Sequence, residues 1–257
     1  HHGEEIHSKE INSWLSDMKL TSEHLSCGLE LPRNPEDRQL LRDRNISSSR
    51  IYHNCSGKHC GQLALCQNQG WDIENYHLIG HPAQKAMLNV FQDLAQEDID
   101  VVGIDGCTLP APYLSLQGFA RALAKIAASI VGGGQINSNN YRILSENGCK
   151  EAQNDLYERA MIDLPILKFK TNFCNAGWNF FKDTRQNYIG WMGYGGSICQ
   201  WHAGEEIGIG YTMNLLELSV FNARAQDLQY EVLKCAKRLS GSSGEVNQGS
   251  RLYEVGK

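Results

Sequence analysis

The spacing of apolar residues divides the chain into helices first, short strands late and a helix last. Between residues 8 and 18, Ile11, Trp14, Leu15 and Met18 fall at i, i+3, i+4 and i+7. That spacing predicts an amphipathic helix, with Ser8 placed to cap its start. Residues 28–50 are polar and rich in Asp and Arg, a loop or short helix. Gly57 to about Asn68 predicts a second helix, closed by Gly70. Its free N–H groups would face Cys55-Ser56 and favour negative charge there. Pro82 opens a third helix at its first position, with Met87, Val90, Phe91 and Leu94 on one face. Val101 to Ile104 is a short apolar strand running into Asp105-Gly106-Cys107. Thr108 to Pro112 reads as loop, and a long helix follows with Leu116, Phe119, Leu123, Ile126 and Ile130.

Past Gly132-Gly133-Gly134 the periodicity weakens through residue 185. Then Tyr188 to Trp191, Ser197 to Trp201 and Ile207 to Tyr211 read as three strands joined by tight turns, a β-meander. A last helix carries Leu228, Val232, Cys235, Ala236 and Leu239, and the Gly/Ser-rich tail from Ser240 to Ser250 is expected to be disordered. No internal repeat is visible. The order of elements indicates an α+β fold, with helices packed on an antiparallel sheet.

Composition narrows the function classes. A chain of 257 residues suits one large domain or two small ones. The net charge of −5 and the absence of a basic stripe argue against nucleic acid as a partner. No apolar run approaches the roughly 18 residues of a membrane span, and no signal peptide is visible. The chain opens His1-His2-Gly3 without Met, so the true N-terminus is expected to lie upstream. Nine cysteines, an odd number without a compact framework, fit a reduced, cytoplasmic protein.

The chemistry concentrates in His53-Asn54-Cys55-Ser56-Gly57-Lys58-His59 and in Ile104-Asp105-Gly106-Cys107. Zinc prefers thiolate and imidazole ligands, and two cysteines from separate segments plus one more ligand would leave a position open for substrate. Lys58 follows Cys55 by about one helical turn, and ligates or acts as a base only when neutral. Ser56 needs an adjacent base to become a nucleophile, and Lys58 is the local candidate. No Ser-x-x-Lys pair, the usual spacing in Ser/Lys hydrolases, lies on a predicted helix. Asp105 at a strand end suits a substrate ammonium group, or a turn residue bonding its own backbone. The bland alternative is two buried thiols and an ordinary helix start. His1, His2, Glu4, Glu5 and His7 form a second polar knot, read as solvated or tag-like, although Gly3 and the Glu pair do not look like a purification tag.

Residues 1 to about 127 resemble the L-asparaginase II family, the zinc-and-serine type. The matching pieces are His2-Gly3-Glu4 with His7, Leu25-Ser26-Cys27-Gly28, Asn54 to His59, Tyr76-His77 with His81-Pro82, Gly103 to Cys107, and Pro110 to Ala127. The resemblance implies a fold like that of serine β-lactamases and glutaminases. It implies hydrolysis of L-asparagine to aspartate and ammonia, with zinc held by Cys55, Lys58 and Cys107 and substrate against Asp105. The family's serine nucleophiles lie upstream of residue 1, and its later Lys has no counterpart here. An incomplete fold and a truncated or impaired hydrolase are therefore expected, with Ser56 and Lys58 as the local catalytic candidates.

Residues 129–239 resemble instead the C-terminal part of β-lactamase-like serine hydrolases, through Gly190 to Gly196 and Gly208-Ile209-Gly210-Tyr211. Trp191 stands where that group carries His or Lys, and the segment holds no Ser-x-x-Lys. The expected division is 1–128, 129–239 and a tail 240–257. A non-catalytic zinc- or ligand-binding protein and a β-lactamase-like esterase are the rival readings, and a homodimer is one expected assembly.

Overall fold

The computed structural model describes residues 1, 3–136, 141–153, 162–164, 169–174, 177–179, 188–193, 196–215 and 223–241. The expected disorder of the tail falls outside these residues from 242 onward. The fold is mixed α+β, with seven α-helices and small antiparallel sheets among the described residues. It divides into two compact units, residues 1–93 with 98–113, and 94–97 with 114–257.

The first unit holds α1 (Glu5–Asp17), α2 (Pro35–Asp43), α3 (Ser56–Gln69), most of α4 (Pro82–Ala95) and a two-stranded sheet of β1 (Val102–Ile104) and β2 (Pro110–Pro112). α1 begins three residues before the expected Ser8 cap. Ser8 lies inside the helix and its hydroxyl donates to the Glu4 carbonyl at 2.7 Å. α2 falls in the polar stretch because Asn34 caps it: its side chain accepts from the Glu36 N–H at 3.0 Å, with Pro35 at the first position. α3 ends at Gly70, whose φ of +67° is the left-handed cap that glycine adopts without a Cβ penalty. The expected loop from Thr108 to Pro112 is corrected in its second half. Pro110–Pro112 pairs with β1, Gly103 opposite Ala111. Prolines fit a two-stranded ribbon because its outer edge needs no donor.

The core of this unit joins Ile11 and Leu15 of α1, Leu25, Cys27, Cys60 and Leu63 of α3, Tyr76, Cys107 and Leu109. Burying each large apolar side chain contributes about 1.5–3 kcal/mol, so α1 and α3 are held by their facing stripes rather than by propensity. Cys107, behind the strand end, is part of this core.

The second unit holds α5 (Leu116–Val131), a β3–β4 pair (Gln135–Ile136, Tyr141–Arg142), α6 (Glu146–Gln153) and a six-stranded antiparallel sheet. The sheet runs in the order β10-β9-β8-β7-β6-β5, from β5 (Ile162–Leu164), β6 (Phe169–Cys174) and β7 (Gly177–Asn179) to β8 (Tyr188–Met192), β9 (Ile198–His202) and β10 (Ile207–Tyr211). The expected meander is its last three strands, with Ile189 opposite Trp201 and Ile209 opposite Gln200. Strands β5 to β7 lie in the stretch of weak periodicity, where no strand is expected from the sequence.

α5 lies on β9 and β10, with Ala127, Ile130 and Trp201 at the centre of the packing. Gly208 and Gly210 explain the close approach. A Cβ on Gly208 would stand 2.2 Å from the Ala128 nitrogen, and one on Gly210 would stand 2.1 Å from the Ala120 carbonyl oxygen. Helix α7 (Ala223–Ser240) buries Ala225, Gln229 and Leu233. The expected stripe of Leu228, Val232 and Leu239 is instead 50%, 41% and 90% exposed. The buried stripe lies on a different face, and its polar members concealed it from a hydrophobic count.

Candidate functional site

All the residues singled out for chemistry lie in the first unit. Cys55 occupies the N-cap of α3, and Lys58 stands in the first turn. His53 fixes the approach: its Nδ1 accepts from the Cys55 N–H at 3.0 Å. Across from them, β1 delivers the turn Asp105-Gly106-Cys107-Thr108. The Thr108 N–H donates to the Asp105 carbonyl at 2.8 Å, and the Gly106 N–H donates to the Asp105 carboxylate at 2.7 Å.

These segments converge. Metal-ligating atoms of Cys55, Asp105 and Cys107 lie within 4.8 Å of one another. The Cys107 thiol donates to Asp105 Oδ2 at 3.1 Å, and Lys58 Nζ donates to the same oxygen at 3.0 Å. Cys107 is buried and Cys55 partly so, while Lys58 and Asp105 are about half exposed.

The electrostatics follow from that packing. Burial pushes the Cys55 thiol up, Lys58 opposes it, and Cys107 and Asp105 reinforce it. Burial works against the charge on Lys58, but the hydrogen bonds to Asp105 and Cys107 outweigh it and hold the amine above its ordinary value. Hydrogen bonds from Cys107 and then Lys58 hold the Asp105 carboxyl below the usual carboxylate range. The metal-free cluster is thus a protonated thiol beside an ammonium–carboxylate pair.

The donor set fits zinc. Two sulfurs, a carboxylate and an amine converge, Cys107 buried and Lys58 about half exposed, and thiolate is the ligand zinc prefers. A metal there would have to displace the protons that burial keeps on the sulfur of Cys55 and that Asp105 keeps on Lys58.

Two features bear on the site from outside the set of Cys55, Lys58, Asp105 and Cys107: Thr108, which the sequence left as loop, and His59, whose imidazole stood beside the thiols as a candidate ligand. Thr108 has φ of +80°, a left-handed conformation that a β-branched residue rarely takes, at a cost of about 1–3 kcal/mol. It sits next to Cys107 and its hydroxyl donates to the Ser26 carbonyl at 3.1 Å. His59 is completely buried, and burial pushes its imidazole down to about 4. Its Nε2 lies 3.0 Å from the Cys107 carbonyl oxygen and its Nδ1 lies 2.6 Å from the Tyr76 hydroxyl. The signal was available: His59 and Tyr76 both stand in the motifs that carry the resemblance, though their meeting is a long-range event.

Ser56 is fully buried. Its hydroxyl donates to the Ile51 carbonyl at 3.1 Å, and its oxygen lies 2.8 Å from His1 Nε2. The one Ser-x-x-Lys spacing in the chain, Ser16 to Lys19, straddles the end of α1, where Lys19 takes a φ of +58°. In the N-terminal knot Glu4 is buried, His1 and His7 are half-buried and Glu5 is solvated, while His2 lies outside the described residues. Glu4 is 9% exposed, and His7 Nδ1 lies 3.0 Å from its carboxylate. His1 Nδ1 accepts from the Gly3 N–H at 3.1 Å, and ligating atoms of His1, Glu4 and His7 lie within 4.8 Å of one another, a second group among the described residues that could hold a metal ion.

A family model described as L-asparaginase II matches residues 1–151, past the point near 127 where the motifs end. No individually curated protein matches the chain significantly. Among solved structures, a family VIII carboxylesterase is similar at 18% identity and a TM-score of 0.39, over 46% of this chain and 31% of the esterase. The family match covers more than half of the sequence and contains every residue of the cluster. The chain belongs to the L-asparaginase II family.

Proposed function

We propose that the chain is the metal-binding part of an asparaginase-type amidohydrolase, which releases ammonia from the side-chain amide of L-asparagine. The convergence of Cys55, Lys58, Asp105 and Cys107 from two segments supports this most. Cys55, Lys58 and Cys107 would hold zinc, which when bound would polarise or position the amide. Binding through Lys58 requires loss of its proton, and that loss would release the Asp105 carboxylate from its ammonium partner. Asp105, already held ionised, would then bind the α-ammonium group of the substrate. In the net reaction water adds to the amide carbon, the C–N bond breaks and nitrogen leaves as ammonia.

Ser56 favours a second reading for the chain as it stands. Its hydroxyl hydrogen is given to the Ile51 carbonyl rather than to Lys58. A zinc-binding protein without hydrolytic activity is the reading that follows if Ser56 is the only hydroxyl on offer.

Cys107→Ser tests the site. The prediction is stoichiometric zinc in the wild-type chain, a loss of at least about tenfold in zinc affinity in the variant, and an unchanged helical circular dichroism signal. Equal zinc in both proteins would sink the assignment.

A further inference from the structure

The four-residue turn that carries Asp105 and Cys107 is held by a frame that touches neither thiol. The Ser26 N–H donates to the Tyr76 hydroxyl at 2.9 Å. On the other side of His59 the Cys107 carbonyl can only accept, so Nε2 carries the hydrogen of the neutral imidazole and Nδ1 accepts the Tyr76 hydroxyl hydrogen, 2.6 Å away. The Nε2 hydrogen donates to that carbonyl at 3.0 Å. The frame closes because the Ser26 carbonyl accepts from the Thr108 hydroxyl at 3.1 Å. It thus starts and ends at Ser26 and grips the turn at Cys107 and at its neighbour Thr108. The bonds in it span 17, 48, 50 and 82 residues of sequence.

The two ring-bearing members are enclosed. His59 and Tyr76 are 0% and 1% exposed. Their rings meet edge to face with centroids 5.6 Å apart, and His59 is on the same first turns of α3 as Lys58. Thr108 supplies the reason a frame is needed. Its φ of +80° is a conformation the local sequence does not favour, and such a residue persists only where its surroundings over-determine it.

We propose that His59, oriented by Tyr76, is the positioning residue of the metal site: it holds the strained Asp105–Thr108 turn so that the Cys107 thiol and the Asp105 carboxylate converge on Cys55. This rests on the zinc reading above. The imidazole does not touch the metal; it acts on the ligand through the ligand's own backbone, as outer-shell partners do.

The test uses the full chain with three variants and two readouts. His59→Leu removes both hydrogen bonds. His59→Gln keeps an acceptor for Tyr76 and a donor for Cys107. Tyr76→Phe removes a single hydroxyl. Zinc affinity is measured by competition with a chromophoric chelator. Cobalt(II) is then substituted, and the sulfur-to-cobalt charge-transfer band reports how many thiolates are bound. His59→Leu is expected to weaken zinc by about 10–100-fold and to reduce the band. His59→Gln should recover most of both, and Tyr76→Phe should fall between. A general loss of packing would not be rescued by Gln, whose volume and polarity suit the core no better than Leu. Wild-type affinity and an undiminished band in folded His59→Leu would overturn the proposal. If that variant does not fold, the same result in Tyr76→Phe overturns it. No zinc in the wild-type chain would instead overturn the metal reading itself, and the positioning role with it.

Discussion

At the scale of single residues, the third ligand is the sharpest question. Lys58 and Asp105 share one contact at 3.0 Å and are both about half exposed, so the pair contributes at most about 1 kcal/mol to stability. Lys58→Met should therefore fold normally while losing about tenfold or more in zinc affinity. Retained affinity in that variant, with loss in Cys107→Ser, would make Asp105 the third donor. That Cys55, Lys58 and Cys107 belong to one cluster was legible in the sequence because each stands in a short, distinctive motif; their role as ligands is the proposal that Lys58→Met and Cys107→Ser test. The frame behind Cys107 was not, because its partners are dozens of residues apart and nothing local announces that an imidazole and a phenol will meet. Ser56 shows the converse: its spacing from Lys58 suggested a catalytic pair, but spacing does not show that the hydroxyl is turned to a carbonyl.

At the scale of elements, strong periodicity gave the right elements and weak periodicity hid others. α1, α3, α4, α5 and β8 to β10 stand where the pattern put them, within a few residues at their ends. β2 was read as loop because Pro110 and Pro112 suppress strand propensity, and α7 exposes the face that its leucines and valine marked. The Gly208 and Gly210 pair was read only as strand and turn. Its use is steric, since the backbone of α5 lies where their side chains would be. Gly210→Ala should cost about 2–3 kcal/mol, because the clash is with helix backbone, which cannot step aside. Gly70→Ala should cost only about 1–2 kcal/mol, since its Cβ meets open space and only the left-handed φ is penalised. Urea midpoints of the two variants compare them directly, and a Gly210→Ala protein as stable as wild type would contradict the packing.

At the scale of the molecule, the thiols set a pH limit. Burial pushes Cys27 up to about 12 and Cys60 up to about 11. An unfolded chain releases those protons near pH 9, while the folded chain keeps them until pH 11 or above. The folded state then binds more protons than the unfolded one. The stability they contribute is fully present below about pH 9 and is lost as pH rises, by up to about 1.4 kcal/mol per pH unit for each thiol. Urea unfolding at pH 8, 9, 10 and 11 should show a steady fall that Cys60→Ala reduces, and a level profile would contradict the burial. The described cysteines form no disulfide, and no helix among the described residues is long and apolar enough to cross a membrane.

The central claim is that the cluster of Cys55, Lys58, Asp105 and Cys107 is a metal site serving amide hydrolysis. The most direct test is the zinc content of the purified chain, measured with ammonia release from L-asparagine on the same sample. The account predicts one zinc per chain, and any ammonia release stopping when a chelator removes the metal. A chain without zinc, or ammonia release that persists after the metal is removed, would contradict it.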